Sequence, residues 1–236
     1  MPKVPPKAVL QTEDIGKIMR EAQRRGPETA ALLAWLYEFG SRASEPGLQT
    51  VSDVDLRAGR ARPRHLKDGA AADWQVLLPF CRKALPEWVH DSMGSKMPLF
   101  PSDTPGKCYT CHGTGKRTRL MREKKTGRRF AGNAVKCHHC DGTGVRVGIS
   151  RIEVHRIVRE VLLAAGVPES LCYPHVLRHS IITHLLEGGM PATAVQERVG
   201  HRALASTLGY AKATKFVGAQ MEKALQGVYG KKGRKK

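Results

Sequence analysis

Residues 174–214, PHVLRHSIITHLLEGGMPATAVQERVGHRALASTLGYAKAT, gather side chains that can move protons and hold an anion. His175 and Arg178 are three apart, which sets them on one face of a helix near its start. His201 follows a glycine-ended helical stretch, and Tyr210 comes nine residues later. Imidazoles titrate near neutrality, a guanidinium stays charged and offers a planar fork, and a phenol can act as a nucleophile. Together they suit chemistry on a phosphate ester.

A second constellation is CYTCHGTG at 108–115, answered by CHHCDGTG at 137–144. Each half reads C-x-x-C-x-G-x-G. Two cysteines three apart can enter one tetrahedron when the chain turns tightly, and the glycines permit the positive φ such a knuckle needs. Cys108, Cys111, Cys137 and Cys140 are therefore expected to form one structural Zn2+ site, with 25 residues looping between the pairs. The x₂ spacing and the expected intracellular compartment argue against disulfides. His112, His138 and His139 stay open as substitute ligands. Cys81 and Cys172, alone in apolar surroundings, read as small buried hydrophobes.

The elements that must position these groups are mostly helical. Thr12 reads as the N-cap of a helix entered through Glu13 and Asp14. Pro27 opens a second helix, apolar almost all round and closed by Gly40. RARPRHLK and DWQVLLP read as short strands flanking DGAA, a hairpin with a loose tip. PLFPSDTPG reads as loop. Ser150 caps the helix SRIEVHRIVREVLLAAG, which Gly166 closes. Pro174 starts the next, which ends at Gly188 and Gly189. PATAVQERVG is a short helix built the same way, FVGAQMEKAL an amphipathic candidate, and KKGRKK a disordered basic tail.

The chain has 236 residues and carries 40 Lys and Arg against 21 Asp and Glu, a formal charge of +19. That excess attracts polyanions, and nucleic acid is the first partner to consider. Residues 106–147 hold eleven Lys and Arg against two acids, about half of the net charge. No apolar run reaches the roughly 20 residues that span a bilayer, and the N-terminus lacks the apolar core of a secretory signal. The expectation is a soluble, cytoplasmic, nucleoid-associated protein with no membrane partner.

At residues 174–214 the sequence resembles the C-terminal catalytic motif of the tyrosine recombinases, or phage integrases, which read H-x-x-R, then G-H, then a tyrosine nine residues on. LLAWLYEFGSRASE is similar to the segment bearing that family's first catalytic arginine, which assigns Arg42, with Glu45 as its partner. Pro46 departs from the helical continuation usual there. The family's catalytic lysine sits in a β-hairpin, and Lys67 in RHLKDGAA matches it, with Arg62 and Arg64 close by. The resemblance implies that Tyr210 forms a 3′-phosphotyrosyl bond with DNA. Arg42 and Arg178 would meet the charge on the non-bridging oxygens. His175 would accept the phenolic proton or bond a phosphate oxygen, His201 would hold another, and Lys67 would protonate the leaving 5′-oxygen. Neither ATP nor a catalytic metal is implied. Tyr37 reads as core, Tyr109 as part of a cysteine turn, Tyr173 as packing, and Tyr229 as the rival nucleophile. His179 and His184 read as structural.

The expected fold is mainly α with a small antiparallel β-sheet, interrupted by a zinc-knuckle insertion. The expected divisions are 1–105 and 148–227 for the catalytic domain, 106–147 for the insertion and 228–236 for the tail. The insertion is similar to the zinc region of DnaJ-type chaperones, though with half its repeats and no J-domain text. So few residues bury little core, so its folding is expected to depend on the metal, worth roughly 10–16 kcal/mol in zinc peptides. Between the knuckles, KRTRLMREKKTGRRF reads as a DNA-contacting arm bearing Lys116, Arg117, Arg119, Arg122, Lys124, Lys125, Arg128 and Arg129. Relatives usually precede the catalytic domain with a helical domain that completes a clamp on DNA, for which the insertion is expected to substitute in part.

The expected activity is thus site-specific recombination of double-stranded DNA with self-association, in the form of a tetramer or with an accessory protein. FVGAQMEKALQGVYG would dock on a neighbour or pack on its own domain. The alternatives are an accessory DNA-binding protein on the same fold, or a type IB topoisomerase-like or telomere-resolving enzyme.

Overall fold

A computed structural model describes residues 8–65, 72–108, 111–122, 129–137, 140 and 142–211, with side chains for all of these except 119–131 and 211. Lys67, Tyr109, Lys124, Lys125, Arg128, His138, His139, Tyr229, the FVGAQMEKAL segment and the basic tail lie outside the described residues.

Helix α1 (Thr12–Arg24) turns Ile15, Ile18, Met19 and Ala22 inward at helical spacing. Its cap is Gln11, not Thr12, because the Gln11 carbonyl already accepts from the Asp14 and Ile15 N–H groups. Helix α2 (Pro27–Glu38) is buried from Ala30 to Glu38, as an almost wholly apolar helix must be, and packs against α1 and later helices. Trp35 stacks near Phe39 at 4.4 Å and meets Phe100 edge-on at 6.0 Å. Gly40 closes α2 in the left-handed region (φ 56°).

A 3₁₀ turn at Pro46–Leu48 follows, so Pro46 ends the helical continuation and the chain turns sharply behind Arg42. Strands β1 (Val54–Asp55), β2 (Arg60–Ala61) and β3 (Gln75–Val76) form the small antiparallel sheet, and β2 pairs β3 through Arg60↔Val76 and Ala61↔Gln75. The expected hairpin is therefore present, with shorter strands. Helix α3 (Pro79–Trp88) rests its N-terminus on buried Glu38, which accepts from the Phe80 and Cys81 N–H groups at 2.7 and 2.9 Å.

The segment read as loop is instead strand β4 (Pro101–Lys107), which pairs antiparallel with β7 (Val145–Gly148). Its prolines misled because proline lacks the N–H that a central strand must donate, whereas a two-stranded ribbon has only edges. The pairing slips between Pro101 and Gly106. Between these strands, β5 (Lys116–Arg122) and β6 (Arg129–Lys136) form the second, basic ribbon.

Helix α4 (Arg151–Ala164) starts with a capping box, the Ser150 hydroxyl accepting from Glu153 N–H and the Glu153 carboxylate from Ser150 N–H. Helix α5 (Pro174–Glu187), α6 (Ala192–Val199) and α7 (Leu204–Ala211) follow. One apolar core joins α1–α7, and the four knuckle cysteines form a separate buried cluster. The fold is mainly helical with small antiparallel sheets, as expected.

Candidate active site and metal centre

Two guanidiniums converge behind Gly40. Arg42 Nη1 donates to Glu45 Oε1 at 2.8 Å and its backbone N–H to Oε2 at 2.8 Å, so one fully buried carboxylate fixes both ends of the residue. Burial pushes the Glu45 carboxyl up, but hydrogen bonds from His65 and Arg42 win and hold it at about 2. His65 Nδ1 lies 3.5 Å from Glu45 Oε2, a distance at which charge counts more than a directed hydrogen bond. Arg178, from the first turns of α5, is 1% exposed. Its Nη1 donates to the Gly40 carbonyl, while its Nη2 is buried without a hydrogen-bond partner among the described residues. Burial first, then the Arg42 charge, bring its guanidinium down to about 10. A buried guanidinium near a second one, with one nitrogen unmatched, is suited to hold an anion.

Tyr210 sits beside this pair, 5% exposed. Its hydroxyl is 2.5 Å from His179 Nδ1, with ring centroids 5.5 Å apart. Burial pushes the Tyr210 phenol up, and the Arg178 charge opposes it. The His201 ring lies nearly parallel to Tyr210 at 6.3 Å, and its Nδ1 is held by buried Thr207 Oγ1 at 2.9 Å. Helix α6 aims His201: Arg198 donates to the Glu38 and Val76 carbonyls at 3.0 and 2.8 Å, and the chain then turns at Gly200, where a Cβ would lie 2.6 Å from His65 Nε2. His175 is exposed, and its ring meets the His179 ring edge-on at 4.7 Å.

Of the other basic candidates, Arg64 is forked onto buried Asp53 at 2.6 and 2.9 Å, and Arg62 Nε lies 3.3 Å from the same carboxylate. Tyr37 is buried and its hydroxyl is 2.8 Å from His184 Nδ1, while His184 Nε2 lies 2.9 Å from the Leu10 carbonyl. Both are structural, as expected. Cys81 and Cys172 are buried, as expected of small hydrophobes.

The cysteine pairs form two interlocked turns. Sulfurs of Cys108, Cys111, Cys137 and Cys140 all lie within 4.8 Å of one another, with Cys108–Cys137 at 3.9 Å and Cys111–Cys140 at 3.7 Å. Four thiolates on zinc at roughly 2.3 Å would be roughly 3.8 Å apart, so the donor set fits that ion. Gly115 N–H points at Cys111 Sγ (3.3 Å) and Gly144 N–H at Cys140 Sγ (3.2 Å). Burial pushes the Cys111 thiol up, yet the Gly115 and Gly113 N–H groups and the Cys108 and Cys140 thiols bring it to about 7, favouring the thiolate a metal takes. The turns also exchange bonds, Cys108 N–H to Gly144 O and Cys137 N–H to Gly115 O, each at 2.8 Å.

The model of the family described as "Phage integrase family" matches residues 8–215. The chain belongs to the phage integrase family. Among curated relatives, tyrosine recombinase XerC of Pelotomaculum thermopropionicum is 31% identical over 215 residues, covering 86% of this chain and 56% of its own. XerC of Bifidobacterium longum (strain DJO10A) is 29% identical over 200 residues, covering 84% of this chain and 45% of its own. This integrase-family chain thus spans about half the length of those relatives. The crystal structure of XerA recombinase shares the fold with a TM-score of 0.64 at 19% identity, covering 94% of this chain and 66% of that one. A post-cleavage complex of XerH site-specific recombinase with its palindromic difH substrate has a TM-score of 0.56 at 17% identity, covering 93% of this chain and 53% of that one.

In this phage integrase domain Arg178 feels the charge of Arg42 and acts on Tyr210, His201 stacks near Tyr210, and His175 meets His179. Lys67 lies outside the described residues. His179, read as structural, instead touches the candidate nucleophile. Its spacing of four from His175 puts the two on one helix face, the signal that could have flagged it. Lys116 and Arg117 open the basic ribbon with exposed side chains, and Arg119, Arg122 and Arg129 lie along its two strands.

Proposed function

We propose that this phage integrase domain breaks and rejoins double-stranded DNA at specific sites through a 3′-phosphotyrosyl intermediate on Tyr210. The observation that carries the reading is Arg178: a buried guanidinium with an unmatched Nη2, close enough to Arg42 and to the buried Tyr210 phenol for their charges to act on it. A phosphodiester supplies the missing anion. As the phosphorus becomes five-coordinate, charge grows on the non-bridging oxygens, where two guanidiniums stabilise it most. Glu45 keeps Arg42 aimed, and Thr207 keeps the His201 ring oriented toward a phosphate oxygen. Lys67, which falls between β2 and β3 in the sequence, is assigned the protonation of the departing 5′-oxygen. The freed 5′-hydroxyl of another strand then attacks the phosphotyrosine, which rejoins DNA in a new pairing.

Cys108, Cys111, Cys137 and Cys140 hold one structural Zn2+, which supplies cross-linking rather than chemistry. Residues 116–136 then serve as a phosphate-contacting arm, and the chain assembles on DNA with further copies of itself, to a tetramer in the simplest synapse. The decisive experiment incubates the protein with nicked suicide duplexes carrying randomised arms and captures SDS-stable adducts. A protein–DNA adduct should form and disappear with Tyr210→Phe. DNA binding without any adduct would instead support an accessory DNA-binding role. Plasmid relaxation without strand exchange would point to a topoisomerase-like enzyme.

A further inference from the structure

We propose that His179, and not His175, takes the phenolic proton of Tyr210 during strand cleavage, which leaves His175 to contact the phosphate. The proposal rests on the strand-transfer reading above and assigns its proton acceptor.

Two histidines, His179 and His201, lie against Tyr210, and His175 lies against His179; their geometries differ. His179 Nδ1 is 2.5 Å from Tyr210 Oη, within reach of a direct transfer. His201 turns its Nδ1 to Thr207 at 2.9 Å and faces Tyr210 ring to ring at 6.3 Å, a stacking relation. His175 is exposed and meets the His179 ring edge-on at 4.7 Å, whereas it is the His179 ring that lies against Tyr210. Tyr210 is only 5% exposed, so bulk water is a poor acceptor for its proton. His179 comes from α5, one residue after Arg178, and the same helix therefore delivers both the anion-binding fork and the base.

The step balances as follows. With its other nitrogen protonated, His179 offers the Nδ1 lone pair and takes the Tyr210 proton. The phenolate oxygen bonds to phosphorus, the bond from phosphorus to the 5′-oxygen breaks, and that oxygen takes a proton from the general acid assigned to Lys67. Rejoining runs each transfer backward: the attacking 5′-hydroxyl returns its proton, and His179 returns the other to the phenol. An imidazolium formed beside Arg178 and Arg42 adds a third positive charge to one pocket. It is tolerated only when the phosphate is seated, because the scissile diester brings the balancing anion. The nucleophile is thereby deprotonated on DNA and stays a neutral phenol off it.

The test uses the full chain and a nicked duplex recovered from the adduct selection. His179→Ala and His179→Gln are compared with the unaltered protein for the rate of adduct formation and for affinity for the same duplex. Both variants should cleave about 10²–10⁴-fold more slowly with unchanged affinity. Added imidazole should restore a measurable share of the rate to His179→Ala and none to His179→Gln. A fluorinated, more acidic tyrosine at position 210 should narrow the gap between His179→Ala and the unaltered protein. The assignment is overturned if His179→Gln cleaves at the normal rate, if either variant cleaves faster, if both lose DNA affinity, or if neither rescue changes the defect. Faster cleavage would mean that His179 restrains the nucleophile. An adduct that survives Tyr210→Phe would overturn the strand-transfer reading itself, whatever His179 does.

Discussion

At the scale of single residues, the pocket depends on a carboxylate that contacts no phosphate. Glu45 is fully buried, holds Arg42 by two hydrogen bonds of 2.8 Å and faces His65, and its carboxyl is held at about 2 against an ordinary value of 4.5. A folded-state value below the unfolded one stabilises the fold above pH ~4.5, and that contribution fades as pH falls toward ~2. A shift of this size corresponds to roughly 3 kcal/mol at neutral pH. Glu45→Gln should therefore lower the unfolding free energy by about that amount at pH 7 in urea titrations, and the gap should close between pH ~4.5 and ~2. A gap that is constant with pH would show that charge is not what Glu45 contributes. The residues of this pocket were unevenly legible. His175 with Arg178, and His201 with Tyr210, stood out because helical spacing and order relate them along the chain. His65 did not, because its role arises where Gly200 folds back onto the Glu45 turn, and the spacing of His179 from His175 marks a shared helix face but not the contact with Tyr210, which forms where α7 returns to α5.

At the scale of elements, the knuckles show why each half of the repeat needs its last glycine. A Cβ on Gly115 would lie 2.1 Å from the Gly142 carbonyl oxygen, and one on Gly144 would lie 2.3 Å from that of Gly113. The contacts are backbone on backbone, so no side chain can move aside. Both glycines also occupy positive φ, at 70° and 76°. Gly115→Ala should accordingly separate the turns and abolish stoichiometric zinc in elemental analysis of the purified protein, while tryptophan fluorescence still reports a folded helical body. Retained zinc would mean that the turns can part without opening the sulfur cage. The repeat was readable because both constraints are local. The ribbon beneath it was less so, since β4 has no meaning without β7, some 40 residues away. That ribbon also reaches the active site. Arg146 on β7 donates to Glu153 at 3.3 Å, and Gly148 packs against the turn after Glu45 so closely that a Cβ would lie 2.2 Å from the Gly47 oxygen. The β4–β7 ribbon is thus seated on the turn that follows Glu45.

At the scale of the whole molecule, charge and architecture combine. The core that joins α1–α7 positions the pocket, while the ribbon and knuckles carry a basic hairpin away from it, and the net +19 is concentrated there out of proportion to length. Composition changes abruptly at residue 106, and helical periodicity resumes at Ser150, the residue that caps α4. So many cations on one two-stranded ribbon are what the proposed contact with a DNA backbone would use. Each phosphate neutralised by the arm releases condensed counterions, which steepens the fall of log affinity with log salt by roughly 0.9 per contact. Replacing Lys116, Arg117, Arg119, Arg122 and Arg129 together by glutamine should therefore weaken binding to duplex DNA of any sequence and flatten the salt slope by several units. Cys137→Ser should act in the same direction, since a cage with three thiolates no longer fixes the root of the arm, and it should leave the helical core folded. Measured by fluorescence anisotropy from low to moderate salt, an unchanged slope in both variants would remove the arm from the DNA interface. A changed slope with intact core folding would establish that the metal centre serves DNA binding through the arm, at a distance from the tyrosine chemistry.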